Sequence, residues 1–395
     1  MKVFFINPPF KAEYGKFSRE NRSPAITRSG ALYYPLWLIY AAAVCEKDGF
    51  EVWFLDAPAR PLNEEESLSV VRRDGQGTKL FVLDTSTPSI YSDIKFAEKL
   101  KEMFPESKVV LVGTHPSALP EETLCISEQI DAVARHEFDY IVRDLARAVR
   151  DDGSWSNVKG ITYRENGEIY ATEDMPFIEQ LDDIPFAAEF IKKYLNPEDY
   201  FFAPAAFPEI QIFSGRGCMA RCDFCVYPQT MHGHRYRLRT PENVAAEFEY
   251  IAQNFPDVKE IVFEDDTFTV KKERVIAICE LLIQKGLHKR FRWLCNARVN
   301  LDLETMKKMK QAGCHLIIPG IESSDQQILN NIKKGITIRQ VYEYVVNARK
   351  AGLLVHACYM VGNNGETRET MQGTLKLALK LNTDTAQFYP LLPFP

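Results

Sequence analysis

The chain has 395 residues but no apolar run long enough to cross a membrane. Its longest run, residues 31–45, is interrupted by Pro35 and is shorter than the roughly 20 apolar residues that a transmembrane helix needs. Residues 1–9 end in Pro8 and Pro9 and are too short for a signal peptide. These absences predict a cytoplasmic protein without a membrane span.

A large excess of one charge and a disulfide framework are also missing. The formal net charge is −6, which gives no electrostatic case for nucleic acid or an anionic membrane as the main partner. The chain has nine cysteines, an odd number, and most of them are scattered along the sequence. This pattern is more typical of a protein in a reducing cytoplasm than of a disulfide framework. Length and composition, with 46% hydrophobic and 26% charged residues, are typical of two or three globular domains.

Residues 1–150 alternate short β-branched or aromatic runs with helical stretches. The runs predict strands at residues 2–6, 51–55, 79–83, 108–112 and 131–134. This alternation predicts a doubly wound, Rossmann-like parallel sheet, an α/β fold that binds its ligand at the carboxyl ends of the strands. The Gly-x-Gly-x-x-Gly fingerprint is absent, which argues against a nicotinamide or flavin dinucleotide.

Two further regions follow. Residues 151–205 contain a small β-hairpin with an Asn-Gly turn and are predicted to be an interdomain linker. In residues 206–395 strands and helices alternate in six units, which predicts a partial (β/α)6 barrel of the TIM type with its chemistry at the strand ends. Thr240, Asp302 and Thr367 have the character of helix caps there.

Cys218, Cys222 and Cys225 follow the first barrel strand within eight residues. Three thiolates are able to hold three irons of a [4Fe–4S] cubane and leave the fourth iron open for a small chelating molecule. Zinc prefers four protein ligands, although His232 and His234 follow closely and are competing candidates. On spacing alone, iron–sulfur is favoured over zinc or simple packing, and all three remain open.

The second half resembles the radical SAM enzymes, which cleave S-adenosylmethionine (SAM), over nearly its whole length. The resemblance rests on Cys-x-x-x-Cys-x-Phe-Cys and on three segments, residues 263–269, 320–337 and 362–367, where Asn364 replaces the usual proline. It implies a [4Fe–4S] cluster on Cys218, Cys222 and Cys225. The SAM contacts that it implies are Phe224, Glu264, Asp265, Asp266, Asn296, Arg298, Glu322, Ser323 and Gly362. For Arg298, the SAM carboxylate and a salt bridge to Glu322 are equally open.

The first domain resembles the cobalamin-binding domain of cobalamin-dependent radical SAM enzymes. The shared features are Asn-Pro-Pro after the first strand and the segments at residues 112–122 and 131–139. The cobalamin contacts implied are Asn7, Pro8, Pro9, Asp56, Ser86, Thr87, Gly113, Thr114, His115 and Glu137. No Asp-x-His-x-x-Gly motif is present, so the resemblance implies cobalt without that axial histidine and with residues 7–29 and 85–91 on its lower face.

Together these resemblances imply an enzyme that forms a 5′-deoxyadenosyl radical and methylates an unactivated carbon, with a low-potential electron donor such as flavodoxin or ferredoxin. The aromatic residues at 33–40 and Phe201, Phe202 and Phe207 suggest a lipid or other apolar small-molecule substrate. Two alternatives remain: a non-methylating rearrangement, cyclisation or oxidation, and a cobalamin-free enzyme with a regulatory first domain. The chain stops after its sixth barrel strand, which leaves open a missing C-terminal domain.

Overall fold

The computed structural model describes residues 1–19 and 24–395. The strands before residue 200 are β1 (Lys2–Asn7), β2 (Lys16–Ser18), β3 (Ala25–Thr27), β4 (Glu51–Asp56), β5 (Thr78–Thr85), β6 (Lys108–Gly113), β7 (Ala132–Ala134), β8 (Ile161–Glu165) and β9 (Glu168–Ala171). The helices there are α1 (Leu36–Lys47), α2 (Glu64–Asp74), α3 (Ile90–Met103), α4 (Thr114–Ala118), α5 (Pro120–Ile126), α6 (Asp139–Arg150) and α7 (Ala187–Tyr194).

Seven of these strands form one sheet in the order β4-β1-β5-β6-β7-β8-β9. The first five are parallel, as the alternation of strands and helices predicts, and β1 pairs with β4 as far as Asn7 and Asp56. Successive side chains of β1 point to opposite faces of the sheet. Phe5 packs with α1 and α6 on one face, and Phe4 packs with α3 on the other. Both faces of the sheet are therefore covered, which a parallel sheet requires.

The hairpin predicted in the linker extends this first sheet. Strand β8 pairs antiparallel with β7, for example at Ala134 and Ile161, and β9 forms the outer edge. Asn166 and Gly167 have φ angles of 52° and 84°, which a tight hairpin turn needs. Residues 161–171 thus belong with the first sheet, and the connection to the barrel runs through α7.

The second part contains the strands β10 (Glu209–Ile212), β11 (Gly215–Arg216), β12 (Arg237–Leu238), β13 (Glu260–Phe263), β14 (Arg292–Ala297), β15 (Cys314–Glu322), β16 (Leu354–Val361) and β17 (Thr385–Pro390). Its helices are α8 (Pro241–Asn254), α9 (Lys272–Gln284), α10 (Leu287–Arg290), α11 (Leu303–Gln311), α12 (Gln326–Asn331), α13 (Ile338–Ala351) and α14 (Arg368–Leu381). No helix in the described part of the chain is long and apolar enough to span a membrane.

Six parallel strands in the order β10-β13-β14-β15-β16-β17 form the predicted partial barrel. The three predicted caps are present: Thr240, Asp302 and Thr367 each accept a hydrogen bond from the backbone N–H three residues later. Such caps satisfy N–H groups that have no partner inside the helix. They fix where α8, α11 and α14 begin, and hence where the strand-end loops stop.

A buried ion cluster joins the two parts of the molecule. Arg216, on β11, lies 2.7 Å from Glu137 Oε1 and 2.9 Å from Asp139 Oδ2, and Arg237 Nη1 lies 2.6 Å from Glu137 Oε2. The Arg216 guanidinium also stacks 4.5 Å from the ring centre of Trp37. Because Arg216 is two residues before Cys218, this cluster links the first sheet to the cysteine loop.

Candidate active site

A cavity of about 210 Å³ lies at the carboxyl ends of the barrel strands. Cys218, Cys222 and Cys225 all line it, together with Phe224. Among residues 1–19 and 24–395, no three His, Cys, Asp or Glu side chains converge as ligands of one metal ion. A cubane holds its irons at separate corners, so its thiolates need not converge on one point. The donor set therefore fits a [4Fe–4S] cluster better than it fits zinc.

The cysteine loop is folded back against the segment before β12. Cys218 N–H donates to Gly233 O at 3.2 Å, and β11 pairs antiparallel with β12. Gly217 has a φ of 97°, and a Cβ atom there would lie 2.0 Å from Arg235 O. Only glycine allows this close approach, so Gly217 sets the position at which the cysteine loop begins.

Neither nearby histidine completes a zinc site with the cysteines. His232 is buried, and its Nε2 lies 2.5 Å from Asp266 Oδ2. His234 Nδ1 lies 3.1 Å from both Cys218 O and Ala220 O. Carbonyl oxygens only accept hydrogen bonds, so this nitrogen carries the proton and holds the loop backbone.

Five of the residues implied as SAM contacts line the cavity, besides Phe224: Glu264, Asp266, Asn296, Arg298 and Glu322. Glu322 has a φ of 66°, a rare backbone conformation for a residue with a side chain. It follows a register shift between β15 and β16, and its Oε1 lies 2.6 Å from Lys334 Nζ. Strained backbone of this kind is common at functional sites.

Three implied SAM contacts do not line the cavity: Asp265, Ser323 and Gly362. Asp265 accepts hydrogen bonds of 2.6 Å from both the N–H and the hydroxyl of Ser214, and burial raises its pKa. The Ser323 hydroxyl accepts from Asp325 N–H, and Gly362 N–H donates to Glu366. These residues shape the loops around the cavity, and their role as direct SAM contacts stays a prediction.

Lys334 lines the cavity and was missed by the sequence analysis. Burial alone would lower the pKa of Lys334, but Glu322 and Cys222 outweigh it and raise that pKa above its usual value. Its ammonium group lies 5.7 Å from the centre of the Phe224 ring. Arg298 does not pair with Glu322, since its guanidinium donates to Lys334 O. The sequence feature that could have pointed to Lys334 is the pair of lysines directly before Gly335.

The polar residues at the edge of the first sheet are bonded to one another. Asn7 Nδ2 donates to Asp56 Oδ1 at 2.9 Å, and Tyr200 donates to Asp56 Oδ2 at 2.8 Å. Arg19 donates to Asn7 Oδ1 at 2.7 Å and to Pro8 O at 2.6 Å, and it pairs with Asp93. Burial raises the pKa of Asp56 to about 6, although its hydrogen bonds oppose that shift. Residues 20–23 of the implied lower face lie outside the described residues.

The ends of β5 and β6 have features that fit cobalamin. Gly113 has a φ of 111°, and a Cβ atom there would lie 2.2 Å from Thr85 O. The absence of a side chain therefore lets the loop after β6 pass close to the end of β5. Asp84 Oδ2 is buried without a hydrogen-bond partner among the described residues. An unpaired buried acceptor is costly. The amide groups around a corrin ring are suitable donors for it.

Ser86, Thr87, Thr114 and His115 surround this edge and are buried or half-buried. Ser86 contacts the Ser89 hydroxyl, and His115 Nδ1 lies 3.2 Å from the Thr87 hydroxyl. Thr114 lines a small space together with Tyr227, which also lines a second small space next to the main cavity. That second space shares Glu264 and Asp266 with the main cavity. Two small neighbouring spaces therefore connect the sheet edge to the cysteine cavity.

One of the implied cobalamin contacts, Glu137, has other partners. Both carboxylate oxygens of Glu137 are bound by Arg216 and Arg237 in the buried ion cluster, and Ile178 N–H donates to Glu137 Oε2. Burial alone would raise the pKa of Glu137, but the two guanidinium groups hold it below its usual value. Pro9 is buried two residues after the end of β1, and its role as a cobalamin contact stays a prediction. Glu137 thus has a structural role in the ion cluster, and its role as a cobalamin contact stays a prediction.

Comparisons with known proteins agree with this division. Residues 212–378 match the radical SAM superfamily, and residues 22–146 match the B12 binding domain. The whole chain is 31% identical to an uncharacterized methyltransferase, PH0819, of Pyrococcus horikoshii, and covers 81% of it. The chain belongs to the cobalamin-dependent radical SAM enzymes. Membership implies a [4Fe–4S] cluster, SAM and cobalamin as cofactors, a small-molecule substrate and a reductant.

Other members of the family differ in their reactions. The chain is 28% identical over its whole length to the anaerobic magnesium-protoporphyrin IX monomethyl ester cyclase of Rubrivivax gelatinosus and covers 68% of that protein. The structure of the radical SAM methyltransferase TsrM from Kitasatospora setae has the same fold, with a TM-score of 0.75 at 16% identity. That match covers 98% of this chain and 72% of TsrM. The α/β fold with a cobalamin-binding sheet and a radical SAM barrel is confirmed.

Proposed function

We propose that this enzyme methylates an unactivated carbon of an apolar small molecule. The observation that carries the proposal is one cavity that is lined both by the three cysteines and by an apolar wall, with the edge of the cobalamin-binding sheet nearby. The wall is formed by Tyr33, Phe202, Ile318, Met360, Leu391 and Phe394. Two of the aromatic residues that suggested an apolar substrate, Tyr33 and Phe202, are among them.

When bound, the cluster supplies the electron that cleaves SAM to methionine and a 5′-deoxyadenosyl radical, and cobalamin carries the methyl group. In the balanced reaction, one substrate C–H and two SAM molecules take up two electrons. The products are the methylated substrate, 5′-deoxyadenosine, methionine and S-adenosylhomocysteine. The substrate hydrogen ends on 5′-deoxyadenosine. The substrate carbon gains the methyl group of the second SAM.

The residues of the chain hold SAM and exclude water. Glu322 and Lys334 form a buried pair of opposite charge beside Phe224, where the amino and carboxylate groups of SAM have ionic partners. We propose Asn296, Arg298 and Asp266 as further contacts, since each lines the cavity. The apolar wall keeps water from a carbon radical.

One polar patch interrupts the apolar wall. His356 lines the cavity, with Nδ1 2.7 Å from the Thr385 hydroxyl and Nε2 3.3 Å from Gln387 Oε1. Burial lowers the pKa of His356, so the ring is neutral at neutral pH. Both ring nitrogens have partners in the protein, so an uncharged hydrogen-bonding group of an apolar substrate would meet the amide of Gln387, which also lines the cavity.

For cobalamin we propose the edge formed by Asn7, Pro8, Asp56, Ser86 and Thr87, with Gly113, Thr114 and His115. The division into a cobalamin-binding domain, a connecting segment and a barrel near residues 150 and 205 also remains our proposal, with the β8–β9 hairpin assigned to the first domain. The chain has no Asp-x-His-x-x-Gly motif, which supports cobalt without that histidine ligand.

The reductant would approach the outer side of the cysteine loop, where Met219, Arg221 and Asp223 are exposed. A cluster beneath this loop lies close to the surface, which suits electron transfer from a small protein. We propose a flavodoxin or ferredoxin as that donor. The free cysteines support a reducing cytoplasm as the compartment.

The test uses the enzyme reconstituted with iron, sulfide and hydroxocobalamin, and supplied with SAM, a chemical reductant and an apolar extract of the source organism. C-methylation predicts that 5′-deoxyadenosine and S-adenosylhomocysteine appear in a one-to-one ratio above the extract-free control. 5′-Deoxyadenosine without S-adenosylhomocysteine would contradict methyl transfer. That result would support the second candidate, a radical cyclisation or oxidation, which the resemblance to the Rubrivivax cyclase favours.

A further inference from the structure

Tyr236 contacts the cysteine loop from the segment that precedes β12. Its hydroxyl lies 3.8 Å from Cys218 Sγ, at the long end of the range for a hydrogen bond to sulfur. The side chain is half-buried, and its neighbour Arg237 is fixed in the ion cluster. The phenol is therefore held against a cluster ligand by the same short hairpin that orders the loop.

The phenol hydroxyl has two polar side-chain neighbours, Cys218 Sγ and the Thr267 hydroxyl. A cysteine that binds iron does so as a thiolate, whereas the Thr267 hydroxyl is neutral and donates to Asp266 O at 2.8 Å. Hydrogen bonds to charged acceptors are about twice as strong as those between neutral groups. The proton of Tyr236 therefore points to sulfur once the cluster is bound.

We propose that Tyr236 is a positioning residue that sets the reduction potential of the cluster through this O–H···S hydrogen bond. Hydrogen bonds to cluster sulfurs are one of the factors that determine these potentials. Reduction adds negative charge to the cluster and its thiolates, and a donor stabilises that charge. Loss of the donor should therefore make the cluster harder to reduce.

His234 acts on the same loop in a different way. Its Nδ1–H donates to the carbonyl oxygens of Cys218 and Ala220 and does not reach a sulfur. A change at His234 should disturb assembly of the cluster, while a change at Tyr236 should shift its potential. This separates a role in shaping the loop from a role in tuning the cluster.

The experiment is a redox titration of the reconstituted enzyme without SAM, followed by EPR. We expect Tyr236→Phe to retain its iron and sulfide but to lower the reduction equilibrium constant about tenfold, which is about 59 mV for a one-electron couple. The matched control is Tyr344→Phe, since the Tyr344 hydroxyl is buried on α13 without a partner among the described residues. An unchanged potential in Tyr236→Phe, or an equal shift in both variants, would overturn the proposal.

A second measurement keeps the proposal testable if Tyr236→Phe does not load its cluster. The reduced wild-type enzyme is compared in H₂O and D₂O by proton ENDOR. We expect an exchangeable proton coupled to the cluster that is retained in Tyr344→Phe. Absence of any exchangeable coupling in the wild type would contradict a hydrogen bond to Cys218 Sγ.

Discussion

The mouth of the barrel and the edge of the first sheet both have polar side chains at strand ends, but they use them differently. Around the barrel mouth, Asn296, Arg298 and Glu322 line an open cavity. At the sheet edge, Asn7 and Asp56 are each only 2% exposed and bond to each other. The first arrangement leaves groups for a substrate, and the second makes a rigid surface for a large cofactor. Changes at the two places should therefore affect different properties.

The largest effect on chemistry is expected at the cysteines. Changing Cys218, Cys222 or Cys225 to serine removes a thiolate ligand, so 5′-deoxyadenosine formation should fall below detection while cobalamin binding persists. The control is Cys125→Ser, because Cys125 is exposed and does not line the cavity. Loss of cobalamin binding together with the cluster would break the separation between the two regions.

The largest effect on stability is expected at the ion cluster between the regions. Arg216→Met leaves Glu137 and Asp139 short of a buried partner, which should cost about 3–5 kcal/mol of unfolding free energy. The comparison is Arg339→Met, which removes an exposed pair with Glu343 and should cost about 0–1 kcal/mol. Denaturant unfolding of the two variants measures both values. A small effect of Arg216→Met would mean that the two parts are joined elsewhere.

A change at the sheet edge should weaken folding and cobalamin binding together. Gly113→Ala puts a Cβ atom on Thr85 O in a left-handed conformation, so we expect a loss of about 2–3 kcal/mol. Gly77→Ala has a similar φ of 76° but open space around it, and should lose about 1 kcal/mol. Thermal unfolding and titration with hydroxocobalamin check this. Unchanged cobalamin affinity in Gly113→Ala would place the cofactor elsewhere.

The smallest effect is expected at Lys334, which should act on SAM rather than on the fold. Lys334→Met removes the partner of Glu322 in the cavity, and we expect SAM to bind about 10–100-fold more weakly. Lys333→Met is the matched control, since that side chain is exposed. Equilibrium binding of SAM to the reconstituted variants measures this difference in affinity. Equal affinities in the two variants would contradict a role for Lys334 in the site.

Much of the fold was predictable because the strands are periodic and strongly apolar. The six strand–helix units predicted in residues 206–395 correspond to the six parallel strands of the barrel. The hairpin β8–β9 was predicted, but its pairing with β7 depends on contacts about thirty residues apart that no local pattern encodes. Helix α2 was not predicted, although Asn63 and Glu66 form a capping box at its start.

The sequence predicted which strand ends contribute to the site, but it did not predict which side chains at those ends point into the cavity. Asp265 and Asp266 are neighbours with similar chemistry, yet Asp265 is bonded to Ser214 and Asp266 lines the cavity. Glu137 follows a strand end as expected, but two arginines from the barrel occupy it. Such differences depend on which side chains the fold brings together, and only the tertiary structure contains that information.

The most direct test of the account follows the methyl group itself. The reconstituted enzyme is given SAM with a fully deuterated methyl group and the apolar extract, and the products are identified by mass spectrometry. We predict an apolar product that has gained one intact CD₃ group in place of hydrogen. A converted product without deuterium, formed together with 5′-deoxyadenosine, would contradict C-methylation.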